Sequence, residues 1–192
     1  MSIVSVVYFL NMHIQKEFIR KGLHAVLAMA FAVLATLVRA EGLILIALVL
    51  LGVFVFIRFM RLHTDVHKVE RASYGELFFA VGVVVTAYVA LPENVLLFQT
   101  AMLILAFADT FAALAGIRFG THSYHIYGEK RSLEGSLACF VASFCVLVFF
   151  DAQYIQALYM AVILTFIEVV SLRGSDNLSL PVATVILFHY FV

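Results

Sequence analysis

The sequence predicts an all-α membrane protein, a polytopic bundle of about seven transmembrane helices. Three observations predict it. Of 192 residues, 65% are hydrophobic and only 12% charged, and the mean hydropathy is +1.09, well outside the range of soluble domains. The apolar residues fall in runs close to the roughly 20 residues needed to cross a hydrocarbon core. Between the runs stand short polar breaks, and the basic residues favour alternate ones.

In chain order, Met1 to Leu10 is apolar but too short to span. With no basic residue before it and no cleavage site it is not a signal peptide, so residues 1–18 read as an interfacial or cytoplasmic lead-in. Residues 19–192 then form one integral-membrane bundle, making a single domain of the whole chain. Span one runs from about Ile19 to Val38 and turns at Arg39 to Gly42; span two runs from about Leu43 to Phe59. A polar connector, Arg61 to Ser73, leads to span three, about Tyr74 to Ala90, which stops at Leu91-Pro92-Glu93-Asn94. Span four covers about Val95 to Ile117, and a connector of about a dozen residues ends in Glu129, Lys130 and Arg131. Span five is about Leu133 to Phe150, span six about Tyr154 to Val170, and a marginal span seven runs from Leu178 to Val192 after the break at Arg173 to Asn177.

Orientation follows from Lys and Arg. With the N-terminal side of span one in the cytoplasm, every one of the basic residues except Arg39 falls on the cytoplasmic side. The N-terminus and any chemistry are therefore expected at that face. The net charge is zero, which gives no reason to expect a nucleic-acid partner. Cys139 and Cys145 sit six apart in one apolar run, about 9 Å of helical rise, too far to bridge each other, and no Cys/His pattern suggests zinc. His63 and His67, and His122 and His125, read as exposed pairs on polar connectors rather than metal ligands.

The chain is organised around ADTFAALAGIRFG, Ala108 to Gly120. Asp109 lies about two helical turns inside the membrane from Arg118, and a carboxylate at that depth is a functional-site hypothesis. Ala112, Ala113, Gly116 and Gly120 share its helix face and let another backbone approach closely. Glu76, Glu134, Glu168, Asp176 and Asn177 fall in the same half of the bundle, together with Arg20, Lys21, His24 and Arg71. A ring of carboxylates and cations at one depth suits a proton relay, an ion pathway or a metal–phosphate site. No phosphate loop or protein-kinase motif is present.

Five blocks, EFIRKGLHAVLA, ERASYGELFFA, ADTFAALAGIRFG, EKRSLEGSLACF and GSDNLSLP, occur in that order between Glu17 and Pro181. Together they resemble the membrane-embedded CTP-dependent lipid kinases (dolichol kinase, phytol kinase and the CTP-dependent diacylglycerol kinase) and, more distantly, the phosphatidate cytidylyltransferases. Ala108 stands where many of those enzymes have Gly before the aspartate. The resemblance implies phosphorylation of a long-chain lipid alcohol, with CTP as donor and Mg²⁺ as the divalent metal. It places Asp109 and Glu134 at the reaction centre as metal ligands or base, and Lys130 and Arg131 on the triphosphate, with Ser132, Gly135, Gly116 and Gly120 in close contact. Arg20, Lys21, His24 and Arg71 would complete the phosphate cage; Asp176 and Asn177 would reach the metal or the nucleoside. Glu168 and Glu76 are further metal candidates, by depth alone. The partners implied are CTP, a lipid alcohol and the bilayer, with homodimerisation left open. Two rival readings are a cytidylyltransferase and a small proton-coupled transporter, the latter disfavoured because no duplicated half with matching broken helices is visible.

Overall fold

A computed structural model describes residues 3–64, 74–91, 94–172 and 174–191, with side chains for all of these except residues 3–17, 58 and 61–64. Among the described residues the chain is mostly helical: α1 (Ile3–Leu37), α2 (Ala40–Thr64), α3 (Gly75–Ala90), α4 (Val95–Ile104), a π turn (Leu105–Asp109), α5 (Thr110–Phe119), α6 (Leu133–Phe149), α7 (Tyr154–Val170) and α8 (Asp176–Phe191). Between α5 and α6 lies a hairpin of β1 (Ser123–Ile126) and β2 (Glu129–Ser132).

The expectation of about seven spans is not met. Among the described residues three helical segments are long and apolar enough to cross a membrane: Phe18–Leu37, Ala40–Ile57 and Val95–Phe119. The other runs form helices of 16 or 17 residues. At about 1.5 Å per residue these reach only ~24–26 Å, short of a hydrocarbon core of about 30 Å. The last also carries Asp176 in its first turn and Pro181 inside it. Counting apolar runs overestimates spans here because breaks such as Asp151–Gln153 and Arg173–Asn177 arrive before a run reaches spanning length. Three crossing segments still make a multi-pass membrane protein.

Two further differences matter for the site. The expected lead-in and the first span are one continuous helix, α1. The connector after α5 is not a loop but an antiparallel hairpin, pairing Ser123 with Ser132 and Ile126 with Glu129. Its two-residue turn, Tyr127-Gly128, holds both residues at positive φ (50° and 82°), the geometry that matches the twist of paired strands.

The apolar interior has two parts. One is built by α1, α2, α3 and α4 around Phe31, Phe79, Phe98 and Met102. The other is built by the π turn and α5 to α8 around Leu147, Met160 and Leu164. The α5–α6 seam is close because it is made of small residues: a Cβ on Gly135 would lie 2.8 Å from the Ala112 carbonyl oxygen and 3.5 Å from Gly116 Cα. Ser132 caps α6 by accepting a hydrogen bond from the Gly135 amide at 3.1 Å.

Candidate active site

The cluster starts with the π turn. One residue of extra winding over Leu105–Asp109 interrupts the ladder of α4–α5, and Asp109 is its last residue. Such turns often mark functional positions, because they re-aim side chains that a regular helix would present elsewhere. Asp109 is 2% exposed. Its carboxylate accepts from the Lys21 ammonium, which arrives from the first apolar segment, and the same Nζ stands 3.4 Å from Asp176 Oδ2 at the start of α8. Lys21 and Asp176 are also buried. One cation thus holds two carboxylates from distant parts of the chain, leaving a formal excess of one negative charge.

Asn177 extends this cluster. It is fully buried, its amide donates to Asp176 Oδ1 at 3.0 Å, and its Nδ2 donates to the Gly75 carbonyl at 3.1 Å. Its Oδ1 is buried and accepts no hydrogen bond. A second ion pair lies alongside: Arg131 of β2 binds the buried Glu168 of α7, and its other terminal nitrogen donates to the Ser171 carbonyl at 2.8 Å. Glu168 lies within electrostatic reach of Asp176 and Lys21, so the two clusters act on one another.

Beside them opens a cavity of about 520 Å³ between α5, the hairpin, α6 and α7. Gly116, Gly120, Lys130, Arg131, Ser132 and Gly135 line it, and so does Glu168. Lys130 is exposed and, among the described residues, makes no ion pair. Six residues expected to meet phosphate therefore share one cavity. Sequence reasoning missed Ser123 and Ser136 on its wall, whose only signal was their place in the hairpin and the first turn of α6.

Other expected residues stand elsewhere. Glu134 does not join Asp109: its carboxylate accepts from the Thr121 hydroxyl at 2.6 Å, the Thr121 amide at 3.1 Å and the His122 amide at 3.1 Å, and pairs with His122 Nδ1 at 2.9 Å. Those donors, the Thr121 hydroxyl first, hold its pKa down to about 2. It ties the entry of the hairpin to the N-terminus of α6. His24 is buried and stacks on Phe79, ring centroids 5.5 Å apart. Glu76 is exposed on the first turn of α3, and Arg20 is half-buried beside Lys21. Arg71 lies outside the described residues, as do His67, Glu93 and Arg173.

Among the described residues no group of three or more His, Cys, Asp or Glu side chains is placed to hold a metal ion. The two carboxylates on one ammonium, with the unpartnered Asn177 Oδ1 nearby in sequence, are nevertheless hard oxygen donors of the kind Mg²⁺ takes. That ion commonly uses one or two carboxylates and completes its shell with water and substrate phosphate. In donor chemistry the two carboxylates fit such an ion.

Fold and site together define a multi-pass helical membrane protein with a buried ionic cluster beside a polar cavity. Over 133 residues the chain is 32% identical to the protein named phytol kinase from Synechocystis sp. (strain ATCC 27184 / PCC 6803 / Kazusa), a match covering 64% of this chain and 57% of that relative. The chain is a distant homologue of that protein, consistent with the lipid-kinase-like family its sequence blocks resemble. The match spans little more than half the length of the curated relative. No family model matches the chain, and no solved structure matches it.

Proposed function

We propose that the chain transfers the γ-phosphoryl group of CTP to the hydroxyl of a long-chain lipid alcohol, at the end of the molecule that carries the buried cluster. The observation that carries this reading is a cavity lined by Lys130, Arg131, Ser132 and three glycines whose wall residue Glu168 lies within electrostatic reach of Lys21 and Asp176, joining it to the buried Lys21–Asp109–Asp176 cluster. The distant relationship to a phytol kinase supports a lipid substrate and favours an isoprenoid alcohol over diacylglycerol.

Phosphoryl transfer asks little covalent chemistry of a protein; it needs positioning and charge stabilisation. Gly116 and Gly120 let Ser132 approach α5 closely at the cavity wall, and Lys130 is a cation ready to meet phosphate oxygens there. Arg131 is already held by Glu168 and the Ser171 carbonyl, so its guanidinium is preorganised at the cavity wall. The substrate hydroxyl oxygen attacks the γ-phosphorus, the bond to the β-phosphate oxygen breaks, CDP leaves, and the hydroxyl proton passes to Asp109. Lys21 holds that carboxylate in place and balances its charge. Asp109 and Asp176 would hold Mg²⁺ with the substrate phosphates, and the ion would neutralise charge on them. In this reading Glu134 is a positioning residue that fixes the hairpin bearing Lys130 and Arg131. The cavity opens to the cytoplasm, where CTP is.

The test is purified protein with labelled CTP, Mg²⁺ and a panel of phytol, a polyprenol and diacylglycerol. The expected result is label on an isoprenoid alcohol with release of CDP, faster with CTP than with ATP. Release of pyrophosphate instead would replace the kinase by a nucleotidyl transferase, and comparable ATP activity would remove the donor assignment.

A further inference from the structure

A second recess lies on the face of α5 opposite Asp109. The cavity described above uses positions 112, 113, 116 and 120, whereas this recess uses positions 111, 114, 115 and 118. At about 100° per residue the two sets point in opposite directions around the helix. The recess has a volume of about 670 Å³. Ala138 and Ala142 of α6 form its floor, and Phe107 and Phe111, stacked with ring centroids 5.9 Å apart, form one side. Phe18, at the start of the first apolar segment, closes it.

Arg118 is the single charge on its wall. It stands in the last turn of α5, exposed, and among the described residues it makes no hydrogen bond or ion pair. Phe107 and Arg118 are separated by eleven residues, about 16 Å along the helix. That is close to half of a hydrocarbon core of about 30 Å, the depth of one leaflet. The recess therefore has the length of one lipid chain, an apolar wall throughout, and a phosphate-binding group at its end.

We propose that this groove binds an anionic phospholipid of the surrounding bilayer, one acyl chain lying between α1, α5 and α6 and the phosphate on Arg118. The inference does not rest on the kinase reading. The bound lipid is not the reacting alcohol, because Asp109 faces the other way on α5. Its consequence reaches the cluster through α1: Phe18 lies three residues before Lys21, so a chain in the groove braces the turn that delivers the ammonium.

The experiment titrates the purified full chain in neutral detergent with phosphatidylglycerol or phosphatidylcholine of identical chains, reading retained lipid by native mass spectrometry and the thermal midpoint. One phosphatidylglycerol should be retained, and raise the midpoint, at ratios where phosphatidylcholine is lost. Arg118→Gln should remove the preference, weakening phosphatidylglycerol about fivefold, the scale of one basic residue at an anionic surface. Ala138→Phe, which fills the floor, should lose both lipids. Equal retention of the two lipids by the unsubstituted protein would overturn the proposal and decides the matter even if Arg118→Gln does not fold. An undiminished preference in folded Arg118→Gln would also overturn it. So would stronger retention of a lipid phosphate monoester than of phosphatidylglycerol, which would make the groove a product site.

Discussion

Removing the ammonium of Lys21 leaves two buried carboxylates, Asp109 and Asp176, without their shared cation. Breaking a buried pair in this way costs about 3–5 kcal/mol, so Lys21→Met should lower the melting midpoint in detergent sharply. Asp109→Asn asks a different question, since it keeps the shape and a hydrogen-bond acceptor while removing the charge. If Asp109 takes the substrate proton, a folded Asp109→Asn protein loses about 10²- to 10⁴-fold in turnover. If it only ties helices together, the loss is a hydrogen bond averaging about 0.6 kcal/mol in membranes, and turnover stays within a few fold. Glu134 makes a third prediction. Its pKa falls from the ordinary 4.5 to about 2 in the folded chain, so its clasp on Thr121 and His122 contributes fully above pH 4.5 and is lost as the pH falls through 2. Protection of the Thr121 and His122 amides from exchange, taken relative to the free-peptide rate at each pH, should fall across that window, whereas in Glu134→Ala it should be low at every pH. The sequence made Asp109 legible because a lone acid in an apolar run has few explanations. It did not make the role of Glu134 legible, since an acid in a first helical turn reads alike whether it meets metal or a neighbouring hydroxyl.

At the scale of elements, the placement of Asp176 and Asn177 depends on a contact between α3 and α8 that neither helix announces alone. Pro181 lacks the amide that would bond the Asn177 carbonyl one turn earlier. Gly82 of α3 lies against that carbonyl, and a Cβ there would overlap it and stand 3.1 Å from Leu178 Cα. Gly82→Ala must therefore push backbone against backbone. It should cost about 1–3 kcal/mol, the usual range for overpacking, and weaken activity through displacement of Asp176. A Gly82→Ala protein with unchanged midpoint and activity would show that α3 yields without moving α8. The π turn and the hairpin belong to the same class of hidden feature. Leu105–Asp109 carries no residue pattern that separates π from α winding. In the hairpin, Tyr127 occupies a positive-φ position more often held by Asn, Asp or Gly, so the turn chemistry was only half visible.

For the molecule as a whole, composition fixed the membrane class, and the two longest apolar runs became two of the three segments able to cross. The third, Ala40–Ile57, reaches spanning length because its helix starts at Ala40, inside the expected turn, whereas the run from Leu133 ends as a helix at Phe149, so helix length, not hydropathy, decides spanning. Direction can be read from two contacts. Lys21, near the start of the first crossing segment, meets Asp109 in the second half of Val95–Phe119. Gln99, near the start of that segment, donates from Nε2 to the Ala32 carbonyl at 3.0 Å, near the end of the first. The two segments are therefore antiparallel, and the hairpin lies at the same end of the molecule as Lys21, with the Arg39–Glu41 turn at the other. Arg20, Lys21, Arg118, Lys130 and Arg131 gather at the hairpin end, against Arg39 at the far one, so a cytoplasmic hairpin is what the basic-residue bias predicts. His125→Cys on the hairpin and Glu41→Cys at the far turn, each with the two native cysteines replaced, test this with a membrane-impermeant maleimide. Position 41 should label in intact cells and position 125 only after permeabilisation. Labelling of position 125 from outside would invert the molecule, put the cavity in a compartment without CTP, and end the proposed reaction whatever the chemistry of Asp109.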